Sequence, residues 1–166
     1  MSEENNKKEE KVSKESKPEP KVEENVKIAI VRIRGQQGLN RDIRDTIEML
    51  KLVKKNFCTV VNNNPSVMGM INKVKDYVTY GEIDDETYKL LIEKRGVDYT
   101  GPETDSKGKI KYNRFITENG RKVKKYFRLN SPKKGYGRKG IKWIFSKGGG
   151  LGNRGTKIND LIKRMI

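Results

Sequence analysis

Two groupings of residues in this chain could do chemistry, and both point at phosphate. Gly150-Leu151-Gly152-Asn153-Arg154-Gly155 spells G-x-G-x-x-G after the strand-like run Ile141–Phe145 and before an apolar-periodic tail. In dinucleotide-binding folds that spacing brings backbone N–H groups and a helix N-terminus against a pyrophosphate. Such a unit needs about 30 residues of βαβ chain and an acidic residue about 20 positions further on, whereas 11 residues follow Gly155. A phosphate loop of the nucleoside-triphosphate type fails too: the segment ends Gly155-Thr156-Lys157, which misplaces the lysine for the β- and γ-phosphates. Glycines that admit phosphate to the backbone serve an RNA strand equally well, and a hinge without ligand is the plainer alternative.

The second grouping interleaves cations with rings: Arg121-Lys122-Val123-Lys124-Lys125-Tyr126-Phe127-Arg128, then Lys133-Lys134-Gly135-Tyr136-Gly137-Arg138-Lys139, then Lys142-Trp143. Residues 107–147 hold 15 basic residues and one acidic residue, Glu118. Cations release counterions from a phosphate backbone and rings stack on unpaired bases. A run of charge is ordinarily a solvated face, and Phe127 and Trp143 could be core, but this imbalance repels itself unless a polyanion neutralises it. The whole chain agrees, with 38 Lys and Arg against 22 Asp and Glu, a net charge of +16 in 166 residues. No base preference follows from these residues.

Much other chemistry is excluded. There is no histidine, so imidazole catalysis and histidine metal ligation are ruled out. The one cysteine, Cys58, cannot pair internally or build a thiolate zinc site, and its place in Phe57-Cys58-Thr59-Val60-Val61 marks a small buried apolar residue. Asp84, Asp85 and Glu86 fall at a helix start, where they complement the macrodipole rather than form a catalytic pair or magnesium site. We therefore expect no catalytic residue, metal, cofactor or small-molecule substrate. The start Met1-Ser2-Glu3-Glu4-Asn5 lacks a signal-peptide pattern and no apolar run approaches about 18 residues, so a soluble intracellular protein without a membrane partner is expected.

Three segments follow from composition. Residues 1–25 carry six lysines, eight glutamates and no aromatic residue, with Pro18 and Pro20 as breakers, and read as a disordered charged tail. Residues 26–96 read strand, helix, strand, helix, strand, helix. Val26–Ile33 is a β-branched run, Asn40 caps a helix bearing Ile43, Ile47 and Leu50, and Phe57–Val61 is the second strand. Asn64-Pro65 opens a helix with Val67, Ile71 and Val74, Val78–Ile83 is the third strand, and Asp84 caps a helix ending at Gly96. The class is α+β, a ferredoxin-like split βαβαβ core with its two crossover helices on one face. Residues 97–166 form a basic extension: Lys109–Ile116 and Arg121–Leu129 flank Glu118-Asn119-Gly120, a hairpin signal, and Ile158, Leu161, Ile162 and Met165 predict a terminal helix that docks on the core. With so few apolar residues, 97–147 are expected to order only on RNA.

Several motifs in order resemble the large-subunit ribosomal protein L-thirty family in its longer archaeal and eukaryotic form, called L-seven in eukaryotes. The core Val26–Ile83 with Gly69-Met70-Ile71-Asn72-Lys73-Val74 is similar to the short bacterial members. Tyr77-Val78-Thr79-Tyr80-Gly81, Glu93-Lys94-Arg95-Gly96, Ser131-Pro132, Gly152-Asn153-Arg154 and Ile158-Asn159-Asp160-Leu161-Ile162-Lys163-Arg164-Met165 are similar to the longer forms. The likeness spans residues 26–166. It implies a non-enzymatic component of the large ribosomal subunit in the cytoplasm, whose partners are large-subunit ribosomal RNA (23S-type, with 5S RNA as a further candidate) and neighbouring ribosomal proteins. By position it implies RNA contacts at Arg34–Arg41, Gly69–Lys73, Arg128–Arg138 and Asn153–Lys157. Where many relatives carry arginine before Gly69 this chain has Met68, and Lys73 or Lys75 would stand in for it.

Together these readings nominate Arg34, Gln36, Gln37, Arg41 and Lys73 in the core, and Arg121, Lys122, Lys124, Lys125 and Arg128 along the hairpin. Further on they nominate Lys133, Lys134, Tyr136, Arg138, Lys139 and Lys142, then Asn153, Arg154 and Lys157. A free-standing RNA chaperone is the alternative function; a nucleotide-dependent enzyme using the Gly150 cluster and a DNA-compacting protein are weaker ones.

Overall fold

The computed structural model describes residues 26–118 and 120–166; the predicted charged tail 1–25 and the hairpin residue Asn119 lie outside the described residues. The elements are β1 (Lys27–Arg32), α1 (Arg41–Met49), β2 (Phe57–Asn62), α2 (Pro65–Val74), β3 (Val78–Glu82), α3 (Asp85–Arg95), β4 (Phe115–Glu118), β5 (Arg121–Lys124), β6 (Phe127–Arg128), β7 (Gly152–Asn153) and α4 (Ile158–Met165). This is the expected α+β class, with a sheet ordered β6-β2-β1-β3-β7 and a separate β4-β5 hairpin.

The run at β1 lacks a polar face because both sides of the strand are covered. Ile28 and Ile30 pack with Ile47, Leu50, Ile71 and Val74 of the α1 and α2 segments. Ala29 and Val31 point to the opposite face, under Tyr88 and Leu91 of α3 and Ile158, Leu161, Ile162 and Met165 of α4. Each such burial contributes about 1.5–3 kcal/mol, so the predicted terminal helix is half of a second core layer. Asn40, Asn64 and Asp84 occupy the N-cap positions in extended conformation, although none donates or accepts a side-chain capping bond, and Pro65 opens α2. Gly96 ends α3 without a left-handed turn (φ −64°); its need is space, because a Cβ there would sit 2.3 Å from the Ile92 carbonyl oxygen.

Two expectations are corrected. The second flank of the hairpin does not run unbroken to Leu129: Arg121–Lys124 pairs with β4, then Phe127 and Arg128 leave to pair with Cys58 and Phe57 on β2. The cause is Phe127, which is fully buried in the core beneath α4. Within residues 97–147, Val123, Phe127 and Leu129 are buried in that core. Ile141–Phe145 is not a strand; the Trp143 and Ile144 carbonyls accept hydrogen bonds from Gly149, Gly150 and Leu151, and Phe145–Lys147 is a 3-10 turn. The short β7, parallel to β3, has no signal in the sequence.

β6 accompanies β2 only at Phe57 and Cys58, so beyond them, among the described residues, Thr59–Asn62 have no strand on their outer side. Both β6 and β7 carry residues from beyond position 96 into the sheet built by residues 27–82.

Candidate nucleic-acid interface

At the end of the sheet where β1 finishes and β2 and β3 begin, loops from distant parts of the chain meet. Arg32 organises the first pair. It is 1 % exposed and faces no carboxylate; its guanidinium donates to the carbonyls of Arg34 (2.9 Å), Gly35 (3.0 Å), Leu52 (2.8 Å) and Val53 (2.7 Å). Burial lowers its pKa, and the four carbonyl dipoles replace its lost hydration. The loop after β1 is thereby clasped to the loop before β2. Arg34 donates to the Asp76 carbonyl (3.1 Å), and its guanidinium lies 5.8 Å from the Tyr77 ring centre, which ties in the loop between α2 and β3.

The basic extension joins the same end through Asn56. Tyr136 donates its hydroxyl proton to Asn56 Oδ1, Asn56 Nδ2 donates to Ser131 Oγ, and the Leu129 N–H donates to the Asn56 carbonyl. Arg154 is the second clasp: buried, 4.5 Å from the Phe145 ring centre, it donates to Thr79 Oγ1 (2.9 Å), the Tyr136 carbonyl (2.6 Å) and the Gly150 carbonyl (3.1 Å). Desolvation pulls it down to about 10, with the charge of Arg164 adding and Asp160 opposing; it stays charged at neutral pH. Arg164 holds the next turn by donating to the carbonyls of Lys133 and Gly135.

These clasps fix the loops and leave cations outside them. Gln36, Gln37, Arg41, Lys73, Arg128, Lys133, Lys134, Arg138, Lys139 and Lys142 are exposed. Arg34, Gly35, Gln36, Gln37 and Tyr77 line one open hollow at this end. A second, of about 610 Å³, is walled by the residues from Lys134 to Arg138 with Phe145, Arg154, Lys157, Asp160 and Arg164. Asn153 and Lys157 are exposed beside it, and Asn153 Oδ1 accepts from the Gly155 N–H. Arg154 sits inside, so among the nominated residues its guanidinium positions backbone instead of reaching outward. Tyr136 is half-buried for the same reason.

The hairpin tip is not part of this cluster. The hydroxyl of Tyr88, whose ring Lys27 overlies at 4.2 Å, donates to Glu118 Oε1 (3.0 Å), which sets the β4-β5 tip beside the start of β1 rather than its end. Six residues of strand, about 20 Å, separate those ends. Arg121 pairs with Asp98 (2.9 Å) and Lys122 with Glu103, carboxylates that lie outside the basic run in sequence. Lys125 donates to Asn113 Oδ1 (2.7 Å), and its pKa is lowered by burial and by the charge of Lys51. Lys124 lines a small hollow with Lys51, Tyr99, Arg114, Lys125 and Tyr126. Met68 packs half-buried against the α1–α2 face.

Sequence reasoning missed Arg32, Arg164 and the paired carboxylates. Arg32 did leave a signal, as a charge inside a run that is otherwise buried on both faces. Cys58 is buried as expected, its thiol pushed up to about 12 by desolvation, which removes it from nucleophilic chemistry. Among the described residues there is no cluster of metal-binding side chains, and no helix is long and apolar enough to cross a membrane.

A family model described as ribosomal protein L30p/L7e matches residues 28–78, from β1 to the first residue of β3. The chain is 40% identical over 149 residues to a large ribosomal subunit protein uL30 of Methanopyrus kandleri, covering 81% of this chain and all of that protein. It is 41% identical over 153 residues to the uL30 protein of Nanoarchaeum equitans, covering 83% and 97%. With that of Methanococcus vannielii it shares 43% over 151 residues, covering 83% and 98%.

Proposed function

Because this chain belongs to the ribosomal protein L30p/L7e family, we propose that it is a non-enzymatic structural component of the large ribosomal subunit in the cytoplasm, and that it binds large-subunit ribosomal RNA. A 23S-type RNA is the expected partner, with 5S RNA and adjoining ribosomal proteins as neighbours. The observation that carries the RNA reading is the sheet end, where buried guanidiniums spend their donors on carbonyls so that exposed cations and amides stand on fixed loops. Such a surface positions phosphates without reading sequence and neutralises RNA helices that would otherwise repel. The division proposed at 96/97 is functional: residues 26–96 supply the first loops and 97–166 the flanking cations.

The free protein is expected to bind large-subunit RNA with a log–log salt slope of about −0.7 to −0.9 per phosphate contacted. Sedimentation of cell extracts tests the ribosomal part: the protein should travel with large subunits at physiological salt and crosslink there to their RNA. Recovery only near the top of the gradient would instead support the free-standing chaperone.

A further inference from the structure

We infer that Trp143 is a stacking platform for an unpaired base of the bound RNA, a role that rests on the RNA reading above. Trp143 is 50 % exposed, and beside it Ile144 is 43 % exposed. A mobile side chain of that size would ordinarily be placed inside or lost to the solvent, but the backbone beneath this one is pinned. The Trp143 carbonyl accepts hydrogen bonds from the N–H groups of Gly150 (2.9 Å) and Leu151 (3.2 Å), and the Ile144 carbonyl from Gly149 (2.9 Å) and Lys147 (3.1 Å).

Gly149 permits that close approach. A Cβ at Gly149 would lie 2.0 Å from the Trp143 carbonyl oxygen and 2.6 Å from the Trp143 Cβ, so a side chain there would displace the backbone that carries the indole. Leu151 below is buried, which anchors the platform to the core. The G-x-G-x-x-G spelling thus adjoins a loop that presents a ring.

The surroundings select the ligand. Lys139 Nζ is 5.7 Å from the indole centre, and Arg138, Lys142 and Lys147 are exposed nearby. The sequence holds no carboxylate from residue 119 to residue 159. An indole face among cations that form no salt bridge among the described residues matches a base with its flanking phosphates, where stacking supplies contact energy and the cations hold the backbone. A greasy pocket on a neighbouring protein would meet the same ring, but burying those uncompensated cations against protein would cost it.

Trp143 is the protein's only tryptophan, so its fluorescence reports the contact directly. The full chain is titrated with in-vitro-transcribed large-subunit ribosomal RNA from one of the matched archaea while anisotropy of labelled RNA gives the binding curve. The expected result is saturable quenching that follows that curve. Trp143→Ala should weaken binding about 5-fold or more while leaving the salt slope unchanged, because stacking releases no counterions; Trp143→Phe should retain most of the affinity. Circular dichroism confirms that each variant folds. Binding without quenching, with Trp143→Ala as tight as the parent, overturns the inference and leaves the RNA reading standing. Quenching by purified ribosomal proteins but not by RNA overturns it in favour of a protein contact. Failure of every form to bind RNA sinks the RNA reading itself.

Discussion

The sheet end and the hairpin have similar composition and different charge pairing. Arg121 and Lys122 on the hairpin are neutralised by Asp98 and Glu103, which approach from the segment after α3. Lys133, Lys134, Arg138 and Lys139 are exposed with no salt-bridge partner among the described residues, and the charged clasps beneath them donate to carbonyls. A count of charge along the sequence treats the two regions alike. Folding separates them: carboxylates pair with the exposed cations of the hairpin tip, whereas at the sheet end Asp160 pairs with the clasp Arg164 and backbone carbonyls take the other buried donors. The teaching is that free cation density, rather than cation density, marks a surface kept for a polyanion.

The largest effect should come from Arg32→Met, which orphans carbonyls of two loops at once. A loss of about 3 kcal/mol or more in urea unfolding is expected, with hydrogen-exchange protection falling at residues 33–56 and holding in the hairpin; uniform loss would break the comparison. Next, replacing Lys133, Lys134, Arg138 and Lys139 together by alanine should shrink the salt slope of RNA binding by about 3, whereas Arg121→Ala with Lys122→Ala should change it by less than 1. Equal changes would show that both regions face RNA. Deleting 107–147 is the wrong tool for that question, since Phe127 and Leu129 would leave the core with the charges.

The core shared by both regions gives a pH-dependent effect. An unfolded Cys58 thiol ionises near 9.0 and the folded one at about 12, so between these values the native state keeps a proton that the unfolded state has lost. Stability present below pH 9 therefore falls as pH rises through that window, by about 1 kcal/mol at pH 10. Tyr88, raised by burial and then by its bond to Glu118, acts in the same direction. Cys58→Ala should flatten the thiol's part when urea midpoints at pH 8 and pH 10 are compared. The smallest effect is expected from Asp98→Asn with Glu103→Gln. Exposed pairs of this kind are worth about 0.2–1 kcal/mol, so stability should hardly move while the RNA salt slope steepens by about 1 or less as the hairpin cations come free.

The core strands were legible because a β-branched run buried on both faces has few other solutions, and the helix starts because Asn40, Asn64-Pro65 and Asp84 are local signals. The two-residue strands β6 and β7 were not. Their pairing with Cys58 and Thr79 joins residues about 70 positions apart, and nothing in Phe127-Arg128 or Gly152-Asn153 announces a partner. The candidate interface was legible as charge and aromatics but not as architecture: Arg154 reads like a phosphate ligand until Thr79, Tyr136 and Gly150 are seen around it. The hairpin's salt bridges were not legible, because Asp98 and Glu103 lie outside the window in which the cations were counted.

The bare outer side of β2 has a consequence for handling the molecule. A strand edge without a neighbour is a template for pairing with another copy. Here Lys27, Lys51 and Lys125 outnumber Glu118 in the groove beside Thr59–Asn62, so two approaching edges bring net positive charge together. That repulsion is a salt-sensitive guard: dilute buffer should keep the protein dispersed, and concentrated sulfate or phosphate, by screening those lysines, should let copies zip together and come out of solution.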